Sequence, residues 1–492
     1  MVGVVLMEFS LEINSFINDF VRCTKEDCAA IFAGAGLSAA SGYVNWKELL
    51  RYPAKRIGLD VEKETDLVTL AQYIYNKDGS KQPMAELIRN NFVSCNNINE
   101  NHEILAKLPI KTYWTTNYDS LIEDSLRKNG KNPDVKKSVR DLSTIISKRD
   151  AVVYKMHGDI SNASDVVLIK EDYELYDLRN QLFSISLKRD LISKTFLFIG
   201  FSFEDPNLEY ILSKMRILTD GYSRKHYCFF RKVNRSKYSN DEDGEKKFQY
   251  DKLKQELKCA DLIRYHIHSL MVDEYSDITQ ILKRIEKEYK KDHVLISGSA
   301  DEFEEFKIKD IEPLEFIHKL SGEISKLGCK VITGFGKGIG SAVLNGVLDY
   351  IYKTNTRKLD DHIIMRPFPL YVTSDVDLEQ IKKEYRKQMV ELGGIAVFVL
   401  GNKTVNGSIQ IADGVIEEFE LAIDNGLNVI PIGVTGYASE ILWNRLIENF
   451  EKFYPDNIDL KKDFELLGDS ELTSDVIIKT VCKIISELKE IY

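Results

Sequence analysis

The sequence predicts an α/β protein built from two Rossmann-like units, each with a parallel β-sheet covered by helices. Two segments share one pattern, an apolar strand that runs into a glycine-containing turn: AAIFAGAGLSAASG (29–42), and HVLISGSA (293–300) with KVITGFGKGIGSAVLNGV (330–347) after it. Short apolar runs, TFLFIGF (195–201) and GGIAVFVLG (393–401), are typical of strands buried in a parallel sheet. Because strands alternate with segments of helical periodicity, we expect helices on both faces of each sheet.

A polar break near residue 290 divides the 492 residues into a first domain over 1–288 and a second over 289–492. Residues 281–292 read ILKRIEKEYKKD, the charged end of an amphipathic helix, and such polar segments are typical of domain boundaries. Two domains also agree with the length of the chain. Residues 45–108 carry mostly helical periodicity, which predicts a helical insertion between the first glycine turn and the next strand.

The composition argues against several classes of partner. The formal net charge of −10 disfavours general binding to nucleic acids or anionic membranes. The seven cysteines form no Cys-x-x-Cys pair, which argues against a zinc ribbon and a disulfide framework. The longest apolar stretches are far shorter than the roughly 20 residues of a membrane helix. We therefore expect a cytoplasmic protein with no bound metal and no nucleic-acid or membrane partner.

The glycine turn of the first domain has the features of a phosphate-binding loop. Gly34 and Gly36 let the backbone approach a pyrophosphate, and the following helix offers free N–H groups at its start. Close packing of the turn is the alternative explanation for the same glycines. The fourth predicted strand ends in GFSFEDP (200–206), where Gly200 and Ser202 could hold a ribose or a phosphate and Asp205 begins the next helix.

Two further strand ends carry candidates for chemistry. The segment TTNYD (115–119) places five polar side chains in succession, which are costly to bury without partners. Asn117 and Asp119 could alternatively be turn and helix-cap residues. The segment KMHGD (155–159) places His157 at a strand end, where a side chain with a reference pKa of about 6.5 is well suited to act as a base. A structural histidine is the alternative.

In this order, the segments GAGLSAASG, TTNYD, KMHGD and GFSFEDP resemble the sirtuin family over about residues 15–285. The resemblance implies a sirtuin-like Rossmann-type domain in which Asn117 and His157 carry the chemistry. It also implies that the two glycine-containing strand ends bind NAD⁺. From the chemistry of the reaction we further expect Asp119 to add negative potential or to hold the Asn117 loop. The candidate NAD⁺-binding residues are Gly34, Ala35, Gly36, Ser38, Gly200, Ser202 and Asp205.

Departures from the protein-deacylating sirtuins point to a different reaction. Those enzymes carry a four-cysteine zinc module, which this sequence lacks, and an Ile-Pro-Asp-Phe-Arg type segment, where residues 43–47 here read YVNWK. The TTNYD, HGD and GFSFEDP segments are instead similar to those of bacterial sirtuin-like effectors that hydrolyse NAD⁺. This implies NAD⁺ as a substrate and no cofactor bound as a catalyst. A protein deacylase or ADP-ribosyltransferase is the alternative.

The second domain carries its own series of nucleotide-site candidates. Its first strand ends at a Gly-Ser pair where a phosphate could lie, and GFGKGIG (334–340) indicates either phosphate approach or tight packing. With IIMRPFP (363–369), YRKQM (385–389) and ADGVIEEFELA (412–422), the series resembles the SLOG superfamily and implies a second Rossmann-like domain. Because adjacent helical residues face different directions, one of the two glutamates at 417 and 418 is expected to face the ligand. The candidates are Gly298, Ser299, Gly334, Gly336, Arg366, Arg386, Lys387, Glu417 and Glu418.

The second domain is predicted to sense a ligand. Hydrolytic SLOG proteins carry a Pro-Gly-Gly-x-Gly-Thr stretch, whereas residues 411–415 here read IADGV, although phosphoribohydrolase activity remains an alternative. The order of the two domains resembles the NAD⁺-consuming effectors of Thoeris antiphage defence. That resemblance implies activation by a cyclic ADP-ribose isomer made by a TIR-domain partner, a homotetramer, and abortive infection through NAD⁺ depletion. Basic residues such as Arg366, Arg386 and Lys387 suit a pyrophosphate-bearing ligand.

Overall fold

The computed structural model divides into two compact units, Met1–Glu288 and Tyr289–Tyr492. The residues that the structure describes are 9–43, 45–92, 97–162, 165–203, 205–218, 224–354, 358–369, 377–455 and 457–490. Each unit holds a parallel sheet with helices packed against it. The predicted α/β fold, with a sirtuin-like unit followed by a SLOG-like one, is confirmed.

The first unit is organised around a seven-stranded parallel sheet with the order β3-β4-β2-β1-β5-β6-β7. The central strands β1 and β5 are apolar and buried along their whole length, as expected for strands covered by helices on both faces. The strands are β1 (Ala29–Ala33), β2 (Thr112–Thr115), β3 (Pro133–Lys136), β4 (Ala151–Lys155), β5 (Thr195–Ile199), β6 (His226–Arg231) and β7 (Ile267–Val272).

The helices of the first unit include the predicted insertion, which is formed by α3 to α6. Several helices start at a side chain that accepts a backbone N–H, as Asn45 does for α3, Asp66 for α4 and Asn99 for α6. The helices are α1 (Leu11–Lys25), α2 (Ala35–Ala39), α3 (Trp46–Arg56), α4 (Leu67–Asp78), α5 (Gln82–Phe92), α6 (Glu100–Lys107), α7 (Leu121–Lys128), α8 (Lys170–Glu174), α9 (Tyr176–Arg179), α10 (Gln181–Ser193), α11 (Pro206–Leu218), α12 (Glu242–Leu262) and α13 (Tyr275–Lys290).

The second unit has a five-stranded parallel sheet with the order β10-β9-β8-β11-β14. Its strands are β8 (His293–Ser297), β9 (Lys330–Thr333), β10 (Ile363–Met365), β11 (Ile395–Phe398), β12 (Asn402–Val405), β13 (Ser408–Ile411) and β14 (Asn428–Pro431). Its helices are α14 (Pro313–Lys326), α15 (Gly340–Thr354), α16 (Leu378–Val390), α17 (Asp413–Asp424), α18 (Tyr437–Glu448), α19 (Phe450–Phe453), α20 (Lys461–Leu466) and α21 (Ser474–Glu490).

The strand order places the binding crevice of each sheet. In the first unit the chain leaves β1 on the side of β2 and later returns on the other side at β5, so the loops after β1 and β5 diverge at this point. In the second unit the same reversal occurs at β8, between β9 and β11. Open α/β sheets bind ligands at such switch points, beyond the carboxyl ends of the strands. Within the described ranges, every helix falls short of the length and apolarity that a membrane crossing requires.

Candidate active site

The glycine turn after β1 packs directly on the loop after β5. The N–H of Gly34 donates to the Ile199 carbonyl oxygen at 2.9 Å, and the N–H of Gly36 donates to the Gly200 carbonyl oxygen at 2.8 Å. A Cβ on Gly36 would lie 2.8 Å from Gly200 Cα, and Gly200 itself has a φ of +65° with its Cβ position against Leu37 N. Close packing of the two loops therefore requires these glycines. Their contact with NAD⁺ stays a prediction.

Asn117 is attached to the same glycine turn. Its Nδ2 donates to the Gly34 carbonyl oxygen at 3.0 Å and to Ser38 Oγ at 3.1 Å, and its own N–H donates to Thr115 Oγ1 at 2.9 Å. Asn117 is 8 % exposed, and Ser38 is 2 % exposed. The structure thus joins two of the predicted segments, and the Asn117 amide is held in one orientation by the turn.

His157 lies beside Asp205, which comes from the loop after β5. Nε2 of His157 is 3.0 Å from Oδ2 of Asp205, although the pair does not meet the geometry of a hydrogen bond. Oδ1 of Asp205 accepts the backbone N–H groups of Asn207 and Leu208 at the start of α11. Burial raises the pKa of the Asp205 carboxyl, but His157 and the two N–H groups outweigh it and hold this pKa below its ordinary value.

Asp119 has the geometry of a helix-start residue. Its Oδ1 accepts the N–H of Leu121 at 3.0 Å, whereas its buried Oδ2 has no hydrogen-bond partner among the described residues. His102 of α6 is also buried, and burial lowers its pKa to about 4 although the charge of Asp119 acts in the opposite direction. Asp119 therefore contacts the start of α7, and its two predicted roles, adding negative potential and holding the Asn117 loop, stay predictions.

The other predicted residues of this site occupy the surface of the two loops. Ala35 and Ser202 are exposed, and each lies in a segment predicted to bind NAD⁺. Phe203, next to Ser202, has a φ of +60°, an uncommon conformation for a residue with a large side chain. The predicted residues thus follow strands at the same end of the sheet, where Asn117 and His157 are both buried.

The second unit brings Arg386 together with both candidate glutamates. Its guanidinium contacts Glu417 Oε2, lies 3.4 Å from Glu418 Oε1 through Nε, and stacks on the Phe368 ring at 5.0 Å. Glu418 is buried and accepts a hydrogen bond from Ser297 Oγ at 2.6 Å, and burial raises the pKa of its carboxyl. Both glutamates contact Arg386, so their side chains point the same way. They differ in exposure, because Glu418 is buried and Glu417 is only partly buried.

The remaining candidates of the second unit separate into packed and exposed groups. A Cβ on Gly298 would overlap the Val399 carbonyl oxygen, and one on Gly336 would overlap the Gly298 carbonyl oxygen, so these glycines allow close packing of neighbouring loops. Ser299 Oγ donates to the Asn402 carbonyl oxygen at 3.1 Å.

The other three candidates lie nearer the surface. A Cβ on Gly334 would be 3.1 Å from Met389 Sδ, which is a tight contact with a flexible side chain. Arg366 and Lys387 are exposed. Lys387 follows Arg386 on α16. Successive side chains on a helix are about 100° apart around its axis, so the two basic side chains point in different directions.

Comparison with known proteins identifies the family of the chain. A SIR2-like domain model matches residues 111–254, and the model of STALD, the Sir2- and TIR-associating SLOG family, matches residues 277–488. The chain is 54 % identical over 490 residues to NAD(+) hydrolase ThsA of Cytobacillus dafuensis, with 99 % of each chain covered. It is 43 % identical over 484 residues to NAD(+) hydrolase ThsA of Bacillus cereus strain MSX-D12, covering 98 % of this chain and 100 % of that one.

This chain belongs to the ThsA family. A shorter similarity, 29 % identity over 240 residues, links it to Defense-associated sirtuin 2 of Bacillus subtilis and covers 46 % of this chain and 23 % of that one. The predicted resemblance to sirtuin-like and SLOG domains is therefore confirmed, and with it membership in a family of NAD⁺ hydrolases.

A buried charged cluster around Lys155, which the sequence did not lead us to expect, lies at the end of β4. Lys155 is 1 % exposed, and its Nζ lies 3.1 Å from Glu123 Oε1 and 2.5 Å from Asp159 Oδ2. It also donates to the carbonyl oxygens of Tyr118 and Asp119. Lys155 thereby ties the loop after β2 to the end of β4. The sequence feature that could have indicated this cluster is the pair Lys155 and Asp159, four residues apart at the end of an apolar strand.

Proposed function

We propose that this chain hydrolyses NAD⁺ to nicotinamide and ADP-ribose, with the first unit as the catalyst and Asn117 and His157 as the central residues. The observation that carries the proposal is the pairing of His157 with Asp205 next to the loop that holds Asn117. A histidine whose one ring nitrogen faces a carboxylate is oriented and electrostatically supported as a base. Since Nε2 faces Asp205, Nδ1 is the ring nitrogen that would accept a proton from substrate or water.

The chemistry of the leaving group determines which catalytic tasks the site has to perform. Nicotinamide departs from a cationic linkage as a neutral molecule, so its departure needs no proton from a general acid. The ribose passes through an oxocarbenium-like transition state, as in glycoside hydrolysis. We assign the Asn117 amide to positioning the ribose hydroxyls or the attacking water, and His157 to taking a proton from one of them. Asp119 adds negative potential near the developing positive charge.

The burial of this centre supports conditional activity. Asn117, His157, Asp119 and Ser38 are each less than one-tenth exposed, so the side chains proposed for catalysis have little room for a dinucleotide in this arrangement. We propose that binding of a cyclic ADP-ribose isomer to the second unit favours an open arrangement. A ligand shifts such an equilibrium only by binding one state more tightly than the other.

We assign the recognition of that signal to the cluster around Arg386, with Glu417, Glu418 and the glycine loops after β8 and β9. The guanidinium suits a pyrophosphate, and a carboxylate beside it suits ribose hydroxyls. A TIR-domain partner would make the signal, and a homotetramer would act in antiphage defence by depleting NAD⁺. The name of the Bacillus subtilis relative, a defence-associated sirtuin, is consistent with that role.

The proposal is tested by nicotinamide release from NAD⁺ in single variants under activating conditions. We expect His157→Ala to lose about 10²-fold or more of the rate, the range typical of a positioned base. Asn117→Ala should also lose rate, because the ribose or the attacking water is no longer positioned. His318→Ala and Asn425→Ala, in the second unit, are the matched controls and retain the rate. Full activity in His157→Ala with an intact fold would contradict the assignment.

A further inference from the structure

The guanidinium of Arg386 is enclosed by its neighbours in the second unit, and the side chain is only 12 % exposed. Phe368 covers one face of the group, with 5.0 Å between the guanidinium carbon and the ring centroid. Nε lies 3.4 Å from Oε1 of Glu418, Nη1 contacts Oε2 of Glu417, and Nη2 lies against Gly414, where an added Cβ would be 2.8 Å away. An anion that is to pair with this guanidinium therefore has to displace one of these neighbours.

Glu417 is the neighbour that can move at the lowest cost. Its side chain is 39 % exposed, and among the described residues its ion pair with Arg386 is the only one that it makes. A partly exposed ion pair contributes little to stability, because water solvates the carboxylate once it has turned away. Phe368, in contrast, packs against the hydrophobic core, and Gly414 belongs to the backbone of α17.

Glu418 is held in place more firmly than Glu417. It is 8 % exposed, and its Oε2 accepts a hydrogen bond from Ser297 Oγ at 2.6 Å while its Oε1 faces Arg386. Ser297 is the buried last residue of β8, so this carboxylate is attached to the sheet. Separating a buried carboxylate from its partners leaves it unpaired and is costly. The two adjacent glutamates are therefore suited to different tasks.

We propose that Glu417 occupies the phosphate position at Arg386 in the resting chain, and that the pyrophosphate of the signal displaces it, while Glu418 stays in place to accept a ribose hydroxyl. The inference rests on the signal binding proposed above and adds its regulation. A pyrophosphate with two negative charges competes for the guanidinium more effectively than a single carboxylate does. Because only chains in which Glu417 has turned away can bind the phosphate, Glu417 raises the concentration of signal at which the NAD⁺ hydrolase responds.

The concentration dependence of nicotinamide release by the full chain tests this competition. Cyclic ADP-ribose isomers are titrated in the presence of NAD⁺, and the isomer that activates at the lowest concentration is used for all variants. We expect Glu417→Gln to lower the half-activating concentration at least about threefold, because a neutral amide pairs with a guanidinium less strongly than a carboxylate does. Glu418→Gln should raise it, so that the two neighbouring glutamates act in opposite directions.

A control and a double variant separate displacement from a general effect of charge. Glu420→Gln, on the same helix with Arg445 as its partner, should leave the half-activating concentration unchanged. If Glu417 acts by occupying Arg386, Glu417→Gln should have no further effect in a chain that already carries Arg386→Ala. The same lowering in Glu420→Gln, or in the presence and absence of Arg386, would show long-range repulsion and would overturn the inference.

Failure of this inference and failure of the proposed function give different results. Absence of activation by every isomer in the unaltered chain would overturn the proposed signal binding, and the inference with it. Activation that Arg386→Ala weakens, together with an unchanged or raised half-activating concentration in Glu417→Gln, would overturn the inference alone.

Discussion

Nε2 of His157 and Oδ2 of Asp205 are 3.0 Å apart, although the two residues belong to loops that follow different strands of the sheet. Asp205 has a second task, because its other oxygen accepts N–H groups at the start of α11. One carboxylate therefore fixes both the position of a helix and the orientation of the proposed base.

The change Asp205→Asn separates these two tasks. Asparagine is as good a helix cap as aspartate, so α11 should keep its start, whereas the charge facing His157 is lost. We expect kcat for nicotinamide release to fall at least about tenfold, with little change in KM or in the melting temperature. The same substitution at Asp241, the N-cap of α12, is the control and should leave kcat unchanged. An unaltered kcat in Asp205→Asn would show that the carboxylate does not act through His157.

Gly200→Ala should disrupt the contact between the two glycine-containing loops. Gly200 has a φ of +65°, and an added Cβ would overlap the Leu37 backbone nitrogen. Gly130, with a φ of +72° and no atom within 4 Å of its Cβ position, is the matched control. We expect Gly130→Ala to cost about 1–2 kcal/mol for the backbone conformation, and Gly200→Ala to cost a further 1–3 kcal/mol for overlap. Equal losses in denaturant unfolding would contradict the close packing.

Lys155→Met should be strongly destabilising because it leaves Glu123 buried without a cation and removes one of the two lysines beside Asp159, the other being Lys137. Breaking a buried ion pair from one side typically costs about 3–5 kcal/mol. Arg127→Met removes an exposed partner of Asp124 on α7 and should cost less than about 1 kcal/mol. Thermal or denaturant unfolding measures both. A small loss in Lys155→Met would mean that the cluster does not hold the loop of Asn117 in place.

The stability of the first unit should fall as the pH is lowered from 7 to 5, in part because of His226. This side chain is fully buried, its Nδ1 accepts the N–H of Phe196, and burial lowers its pKa to about 3. The folded state keeps it neutral while the unfolded state takes up a proton below about pH 6.5, so its stabilising contribution is complete above that pH and declines below it. At about 1.4 kcal/mol per pH unit, the loss at pH 5 is about 2 kcal/mol.

His226→Asn tests that dependence, because an amide oxygen can replace Nδ1 as the acceptor and does not titrate in this range. The variant should show a smaller difference between its melting temperatures at pH 7 and pH 5 than the unaltered chain. His318→Asn, at a more exposed histidine of the second unit, should retain the full difference. An unchanged pH sensitivity in His226→Asn would contradict the assignment to this histidine.

Arg386 and Lys387, adjacent on α16, should differ in their effect on the signal. Arg386 contacts Glu417 and Glu418 and stacks on Phe368, whereas Lys387 is exposed. Loss of a hydrogen bond to a charged group costs about 1.5–3 kcal/mol, so Arg386→Ala should raise the half-activating concentration at least about tenfold. Lys387→Ala should change it less than threefold. The dependence of nicotinamide release on isomer concentration measures both effects. Equal shifts in the two variants would contradict a role for Arg386 that Lys387 does not share.

The strand ends were predictable from the sequence because each combines an apolar run with a polar or glycine-containing turn. Gly34, Asn117, His157 and Gly200 all lie after parallel strands, where such sites form. The pairing of Asp205 with His157 could not be predicted, because it depends on the order of the strands and on the path of a loop between them. The cluster around Lys155 depends on the same tertiary packing.

The hairpin of β12 and β13 could also have been predicted from the sequence, because it contains an Asn-Gly turn. Asn406 and Gly407 have φ values of +51° and +81°, and they join β12 to β13 as an antiparallel hairpin between β11 and α17. An Asn-Gly pair between short strands is a strong indicator of such a hairpin.

The most direct test of the central claim is nicotinamide release from NAD⁺ by the purified chain, with and without cyclic ADP-ribose isomers. We predict a low rate without the isomers and a large increase with at least one of them. We further predict that the increase is lost in His157→Ala at every isomer concentration and is shifted to higher concentration in Arg386→Ala. A rate that is the same with and without every isomer, or an increase that survives in His157→Ala, would contradict that claim.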